Sequence, residues 1–233
     1  MREPSHAGRH NVLAVIPARG GSKGLPRKNL LDLCGLPLLA YSINAARRCP
    51  LITRVVVSTE DQEIAAVARE HGAEVPFMRP ADMARDDSLP KTAVDYTVNT
   101  LRARGYSPDV LVVFYPTHPF RPPRLVDQLV AKGLEGYGFV TVKSTTHDTT
   151  TLFSLAADGA LIPLLSPVRD NAQASRLFSR PYGLLMGTSF SGLDRIHIHT
   201  VTDPVSLIDI DTLEDFRLAE EVIRCGLYPG EAA

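Results

Sequence analysis

The chain has 233 residues, 44% hydrophobic and 22% charged, with a formal net charge of −1. This suits one α/β domain with a sizeable core, or one domain plus a small appendage. So balanced a charge excludes a general affinity for nucleic acid or an anionic membrane surface and leaves any anion site local, and no apolar run is long enough to span a membrane as a helix.

Residues 1–10 carry no hydrophobic segment and read as a disordered start, not a signal peptide. Val12 to Ile16 is an uncharged, β-branched run, the pattern of a buried strand. It ends at Pro17, and Arg19, Gly20, Gly21, Ser22, Lys23, Gly24, Arg27, Lys28 and Asn29 follow within a dozen residues. The glycines let the backbone turn tightly and direct its N–H groups into one concavity. The four cations Arg19, Lys23, Arg27 and Lys28 make that concavity positive. A polyphosphate needs this combination, because N–H groups and cationic heads each take a phosphate oxygen. The spacing fits neither G-x-x-x-x-G-K-[ST] nor G-x-G-x-x-G, so this is a different phosphate loop.

Beyond the loop, Leu36 to Arg48 has helical spacing, with Pro37 suited to a first turn and Arg47 and Arg48 to a last one. Arg54 to Thr59 is a second buried strand, followed by an amphipathic helix from Asp61 to His71 that Gly72 closes. Ala73 to Phe77 reads as a short strand before the loop MRPADMARDDS. Lys91 to Arg104 is helical, Asp109 to Phe114 a strand, YPTHPFRPP a rigid turn, Leu125 to Leu134 a helix and Phe139 to Lys143 a strand. From Ser144 to about Thr188 the alternation breaks, with a hairpin signal at Asp158-Gly159. Such a segment projects from an α/β core as a β arm or lid, or packs on a second subunit. Arg195 to Val201 and Ser206 to Ile210 read as strands. The last helix runs to about Cys225, with Thr212 as N-cap and Glu214 and Asp215 in its first turn.

Strands alternating with helices imply parallel pairing through right-handed crossovers. The expected fold is an α/β, doubly wound, mostly parallel, Rossmann-like sheet with a protruding β arm, its ligand crevice at the strands' carboxyl ends. The cationic loop, STEDQ and YPTHPFR all fall at such ends. Cys34, Cys49 and Cys225 are widely spaced and form no C-x-x-C pair. That argues against a disulfide framework or thiolate zinc site and for a reducing, cytoplasmic setting.

Asp209 and Asp211 lie at i, i+2 before a helix. In an extended strand they share a face roughly 7 Å apart and reach one hydrated cation. Equally, Asp211 belongs to a capping arrangement and Asp209 to a strand-end turn. His118 sits between two prolines in the crevice turn, as a substrate contact or a structural residue. Arg79 and Asp86 flank the loop after the third strand, either meeting a base or phosphate or pairing with each other. His197 and His199 share a strand face without a carboxylate or cysteine cluster nearby, and Ser58 and Ser191 lack a nucleophile elbow.

IPARGGSKGLPRKN, VVVSTEDQEIA, FMRPADMARDDS and IDIDTLEDFRLAEE, in this order and spacing, resemble the acylneuraminate cytidylyltransferase family over roughly residues 11–225. The resemblance implies a single nucleotidyltransferase domain over 11–233 that transfers CMP from CTP to an acidic sugar, a nonulosonic or related 2-keto-3-deoxy acid. It places Arg19, Gly20, Gly21, Ser22, Lys23, Lys28 and Asn29 on the CTP phosphates and Arg79 and Asp86 near the base and ribose. Asp209 and Asp211 become a magnesium pair, and Arg19, Lys28 and Asp211 the catalytic set. The arm, about 144–188, becomes a homodimer contact.

The acceptor side departs from the family pattern. Tyr115 and His118 stand in FYPTHPFR where the family has glutamine and serine, with Thr117 kept. Tyr182 replaces an asparagine in RPYGLLMG, Arg180 is kept, and a lysine of the sialate enzymes is missing from HDTTTLFSL. The acceptor contacts implied are therefore Tyr115, Thr117, His118, Arg180 and Tyr182. Two other readings stand beside this one: the same fold acting on a phosphonate or sugar phosphate, or a non-catalytic nucleotide-sugar-binding paralogue.

Overall fold

The structure is a computed structural model that describes residues 10–22, 24–80, 83, 90–146, 153–155, 161–163, 177–191 and 195–228; for 144–146, 153–155, 161–163 and 177–181 it describes the backbone alone. In chain order the strands are β1 (Val12–Pro17), β2 (Asp32–Leu33), β3 (Leu36–Pro37), β4 (Arg54–Ser58), β5 (Val110–Val113), β6 (Gly138–Thr146), β7 (Phe153–Leu155), β8 (Leu161–Pro163), β9 (Leu177–Ser189) and β10 (Ile196–Val201). The α-helices are α1 (Leu38–Arg48), α2 (Gln62–Glu70), α3 (Pro90–Ala103), α4 (Pro123–Leu134) and α5 (Leu213–Arg224).

Six strands form one sheet in the order β10-β6-β9-β5-β1-β4. β1 is parallel to β4 and β5, and β10 is parallel to β6. The expected α/β architecture is present, but the sheet is mixed, because β9 runs antiparallel between β5 and β6. The last part of the expected arm, Leu177 to Thr188, therefore belongs to the core sheet.

β1 is buried throughout its apolar length because helices cover both of its faces. On one side α1, α2 and α4 bring Leu39, Ile43, Ile64, Ala68, Val126 and Leu129 against Val12, Ala14 and Ile16. On the other, Val94, Val98 and Leu101 of α3 pack on Leu13, Val15 and Val56. α5 closes a smaller core through Phe216, Ala219 and Val222, with Leu33, Tyr41, Phe120 and Ile210.

Three local expectations are corrected. Leu36 and Pro37 are strand, not helix: the backbone reverses through Cys34 (φ 53) and Gly35 (φ 95), β2 pairs with β3, and the helix begins at Leu38. Ala73 to Phe77 contributes a single bridge, Val56 to Glu74, and is interrupted by Pro76, which has no N–H to donate. Ser206 to Ile210 is not a strand. Asp203 accepts from Ser206 N–H (2.9 Å) and Oγ–H (2.5 Å), winding the backbone into turns at Pro204–Leu207.

The hairpin expected at Asp158-Gly159 is seen as β7 pairing antiparallel with β8; the turn itself lies outside the described residues, as do residues 1–9.

α2 and α5 start where their caps predict. Asp61 accepts from Glu63 and Ile64 N–H, both at 3.0 Å. Thr212 and Asp215 form a reciprocal capping box, the Asp215 carboxylate accepting from Thr212 N–H (2.8 Å) and Thr212 Oγ1 from Asp215 N–H (3.2 Å). Replacing Thr212 with Ala is expected to cost about 1 kcal/mol of unfolding free energy, read from urea denaturation. An unchanged midpoint would show that the cap contributes nothing to stability.

Candidate active site

The cationic loop leaves β1 beside the end of β4, and β4 holds it in place. Ala18 N–H donates to Ser58 O (3.0 Å), and Gly20 N–H donates to Glu60 Oε1 (2.7 Å). The other Glu60 oxygen accepts from Arg79 Nη2 at 2.5 Å, in an ion pair whose arginine is only 5% exposed. Arg27 pairs with Asp61 and with Glu63 (2.6 Å), and the Arg27 hydrogen bond holds the Asp61 carboxyl below the usual carboxylate range. Asn29 Nδ2 donates to Arg19 O (2.9 Å) and braces the turn from inside. Arg79 is thus paired with Glu60; Asp86, its suggested partner, lies outside the described residues, as does Lys23. Gly21 is exposed, while Arg19 and Ser22 are partly exposed along the loop.

Lys28 joins this loop to the carboxylates far downstream. It is buried, and Nζ donates to Ile210 O (2.7 Å) and Asp211 Oδ1 (2.8 Å). Ile210 is fully buried and its N–H donates to Thr117 O (2.8 Å), so the extended piece between the two aspartates is pinned. The i, i+2 relation of Asp209 and Asp211 survives although the segment is not a strand. Burial raises the Asp209 pKa; a hydrogen bond from Thr117 opposes the rise and the Asp211 charge adds to it.

A half-buried carboxylate beside a second, exposed one suits a divalent cation, which relieves their repulsion and takes its remaining ligands from phosphate and water. Among the described residues no group of three or more His, Cys, Asp or Glu offers a closed metal cage.

The other flank is built on β5, β6 and β9. The Thr117 hydroxyl lies 2.8 Å from His118 Nδ1, and Asp209 Oδ1 lies 3.6 Å from that nitrogen. His118 is 4% exposed, its ring in a T-shaped contact with Tyr182 at 4.6 Å between centroids, and its Nε2 has no hydrogen-bond partner among the described residues. A Cβ on Gly183 would collide with the imidazole, so β9 approaches this closely only with glycine there. Burial, reinforced by Arg121, Lys143 and Lys28, pushes the His118 pKa down to about 3. Tyr115 is half-buried, with its hydroxyl 3.7 Å from Met186 Sδ. Arg180 is the cross-strand register partner of Lys143, and its side chain lies outside what is described.

Sequence reasoning missed four residues here: Glu60 and Asp61, which fasten the loop; Arg121, which fastens the turn; and Lys143. Two of the signals were visible. A carboxylate pair follows a buried strand directly in STED, and a lone charge ends FVTVK. His197 and His199 sit on the edge strand β10, alternating with exposed Ile196 and Ile198. Ser58 is buried and accepts from Thr97 Oγ1 (2.8 Å), which leaves it no nucleophilic role.

A cationic glycine-rich loop facing paired aspartates at the strand ends of an α/β sheet is the arrangement of a nucleotidyltransferase. The family model described as cytidylyltransferase matches residues 13–161. A CMP-N,N'-diacetyllegionaminic acid synthase from Legionella pneumophila is 31% identical over 223 residues, 91% of this chain and 96% of that protein. A pseudaminic acid cytidylyltransferase from Campylobacter jejuni is 36% identical over 123 residues, 53% of each chain, so the match spans about half the length of that relative. The solved structure of CMP:2-keto-3-deoxy-manno-octonic acid synthetase complexed with CTP shares the fold, with a TM-score of 0.65 at 17% identity over 92% of this chain and 99% of that one. The chain belongs to the cytidylyltransferase family.

His118 makes stability depend on pH. It takes up a proton near pH 6.5 in the unfolded chain but only near 3 when folded, so between these values the unfolded state binds more protons. Its contribution is complete above pH 6.5 and is lost progressively as pH falls toward 3. Unfolding free energy in EDTA is expected to drop by about 2 kcal/mol from pH 7 to pH 5, and His118→Asn to flatten that slope. Parallel slopes in urea titrations of the two proteins would refute this.

Proposed function

We propose that the chain transfers CMP from CTP to an acidic sugar, a nonulosonic or related 2-keto-3-deoxy acid, and releases pyrophosphate. One observation carries the reading: Lys28 of the phosphate loop donates directly to Asp211 and to the carbonyl of Ile210, between the two aspartates. The loop suited to the phosphates and the carboxylates suited to a metal are therefore held as one unit.

In the proposed reaction an acceptor hydroxyl attacks the α-phosphorus of CTP in line. The bond from that phosphorus to the bridging oxygen breaks, and pyrophosphate leaves with the bond's electrons. The catalysis required is positioning and charge neutralisation. Arg19 and Lys28, with Lys23 and the N–H groups of Gly21 and Ser22, hold the phosphates and the charge that grows on the leaving group. Gly20 N–H is bound to Glu60, so Gly20 acts by shaping the turn. Asn29 and Arg79 likewise keep the loop in form.

Asp209 and Asp211 would hold a magnesium ion, which when bound neutralises phosphate oxygens and acidifies a bound hydroxyl or water. Asp211, exposed, accepts the acceptor's proton. Thr117 fixes Asp209, while Tyr115, His118, Arg180 and Tyr182 border the acceptor. We further propose a homodimer in which the arm around β7 and β8 reaches the second copy, and a cytoplasmic setting, which the free thiols of Cys34, Cys49 and Cys225 support.

The test is pyrophosphate release from CTP and magnesium with a panel of sugar acids, phosphonates and sugar phosphates. Release is expected with a sugar acid and to stop with EDTA. Arg19→Ala and Asp211→Asn are each expected to lower kcat by about 100-fold or more. Near-normal turnover in either variant would sink these roles, and CTP binding without pyrophosphate release on any acceptor would support a non-catalytic binder.

A further inference from the structure

β6 is apolar until its carboxyl end: Phe139, Thr141 and Val142 are buried, and Lys143 follows half-buried at the crevice. The strand pairs with β9 out of simple register, Val140 opposite Met186 but Val142 opposite Pro181, so four residues of β9 bulge between them. Thr141, wholly buried, holds the bulge. Its Oγ1 lies 2.6 Å from Tyr182 O and 2.9 Å from Leu185 O, and it accepts from Leu185 N–H (3.0 Å). The bulge delivers Tyr182 to the site, its ring in a T-shaped contact with His118 and its centroid 5.1 Å from Lys143 Nζ.

Lys143 therefore has an aromatic floor but, among the described residues, no paired carboxylate. Among the described residues it closes no ion pair, although its charge is felt at both His118 and Asp209. His118, an imidazole, offers no negative charge to balance it. Lys28, already bound to Asp211, and Arg121, which has no acid partner among the described residues, add to the positive potential. Asp209 is, among the described residues, the carboxylate that feels Lys143 on this flank, and the proposed reaction assigns it to a metal. A partly desolvated ammonium with no counter-ion favours an anionic ligand. In the transfer reaction proposed above, the anion that arrives at this flank is the acceptor's own carboxylate.

We propose that Lys143 is the specificity-determining residue for the acceptor acid: its ammonium donates to an oxygen of the acceptor carboxylate, with Tyr182 as the surface beneath it. The inference rests on the reading of the reaction above and assigns to this chain's β6 a charge that the departures elsewhere in the acceptor side leave unsupplied.

The experiment measures steady-state kinetics of the full chain with CTP, magnesium and the best sugar acid, beside the carboxamide of that acid. Lys143→Met keeps the length of the stem and removes the charge; Lys143→Arg restores charge. Lys143→Met is expected to raise the acceptor KM by about 10- to 100-fold, to leave the CTP KM within about threefold, and to abolish the wild-type preference for acid over amide. Lys143→Arg is expected to recover part of that preference. An unchanged acceptor KM and intact acid preference in Lys143→Met overturn the assignment while the reaction stands, and so does a rise confined to the CTP KM. A wild-type protein that releases no pyrophosphate with any sugar acid overturns the transfer reading and this assignment with it.

Discussion

A guanidinium that no carboxylate answers, among the described residues, lies at the centre of the crevice wall. Arg121 is 1% exposed, and its charge is met by carbonyls and a hydroxyl: Nε donates to Leu184 O (2.6 Å), Nη2 to Tyr115 O (2.5 Å) and Nη1 to Ser42 Oγ (3.0 Å). Its own carbonyl accepts from Tyr228 Oη (3.0 Å), beyond the last helix. Burial presses its pKa down to about 9, so it stays charged at neutral pH. An unpartnered buried charge costs several kcal/mol, and that penalty forces the carbonyls to converge on it. The bulge of β9, the turn Tyr115–Arg121 and helix α1 therefore meet at one point. Tyr182 and His118, on either side of it, take their places from that meeting.

The donor half is fastened by a different device. Glu60 and Asp61 follow β4 immediately and divide the work: one carboxylate holds Gly20 N–H and Arg79, the other holds Arg27 and caps α2. The cationic loop is thus held by carboxylates of the chain itself. Lys28 then ties it to the aspartates of the acceptor half. Two rigid flanks joined by one buried lysine make a crevice whose polar groups are oriented before substrate enters, which is the condition for electrostatic catalysis.

Much of this was legible along the chain because it is local. β1 was readable as a buried strand from five uncharged residues, α2 and α5 from caps acting over two or three residues, and the phosphate loop from glycines and cations crowded at a strand end. β9 was not legible. Its sequence LFSRPYGLLMGTS contains Pro181, Gly183 and Gly187, which speak against a central strand, yet the sheet requires them. Pro181 opens the bulge, Gly183 leaves room for His118, and Gly187 lies where a Cβ would strike the Phe139 ring. Each of these reasons lies in another segment, a neighbouring strand or the turn after β5, far away in sequence.

The sequence by itself determined the alternation of strand and helix, the crowding of glycines and cations in the loop after β1 and the i, i+2 relation of Asp209 and Asp211, since each follows from residue type and short spacing. Tertiary structure alone decided that Gly20 N–H belongs to Glu60, that Lys28 reaches Asp211, that burial lowers the His118 pKa and that Lys143 closes no ion pair among the described residues. Those outcomes depend on desolvation and on distances between segments brought together by the sheet. The loop after β1, whose character is carried by its own glycines and cations, could be read in advance, whereas the wall built by β5, β6 and β9 could not, because its charges acquire meaning only from what surrounds them.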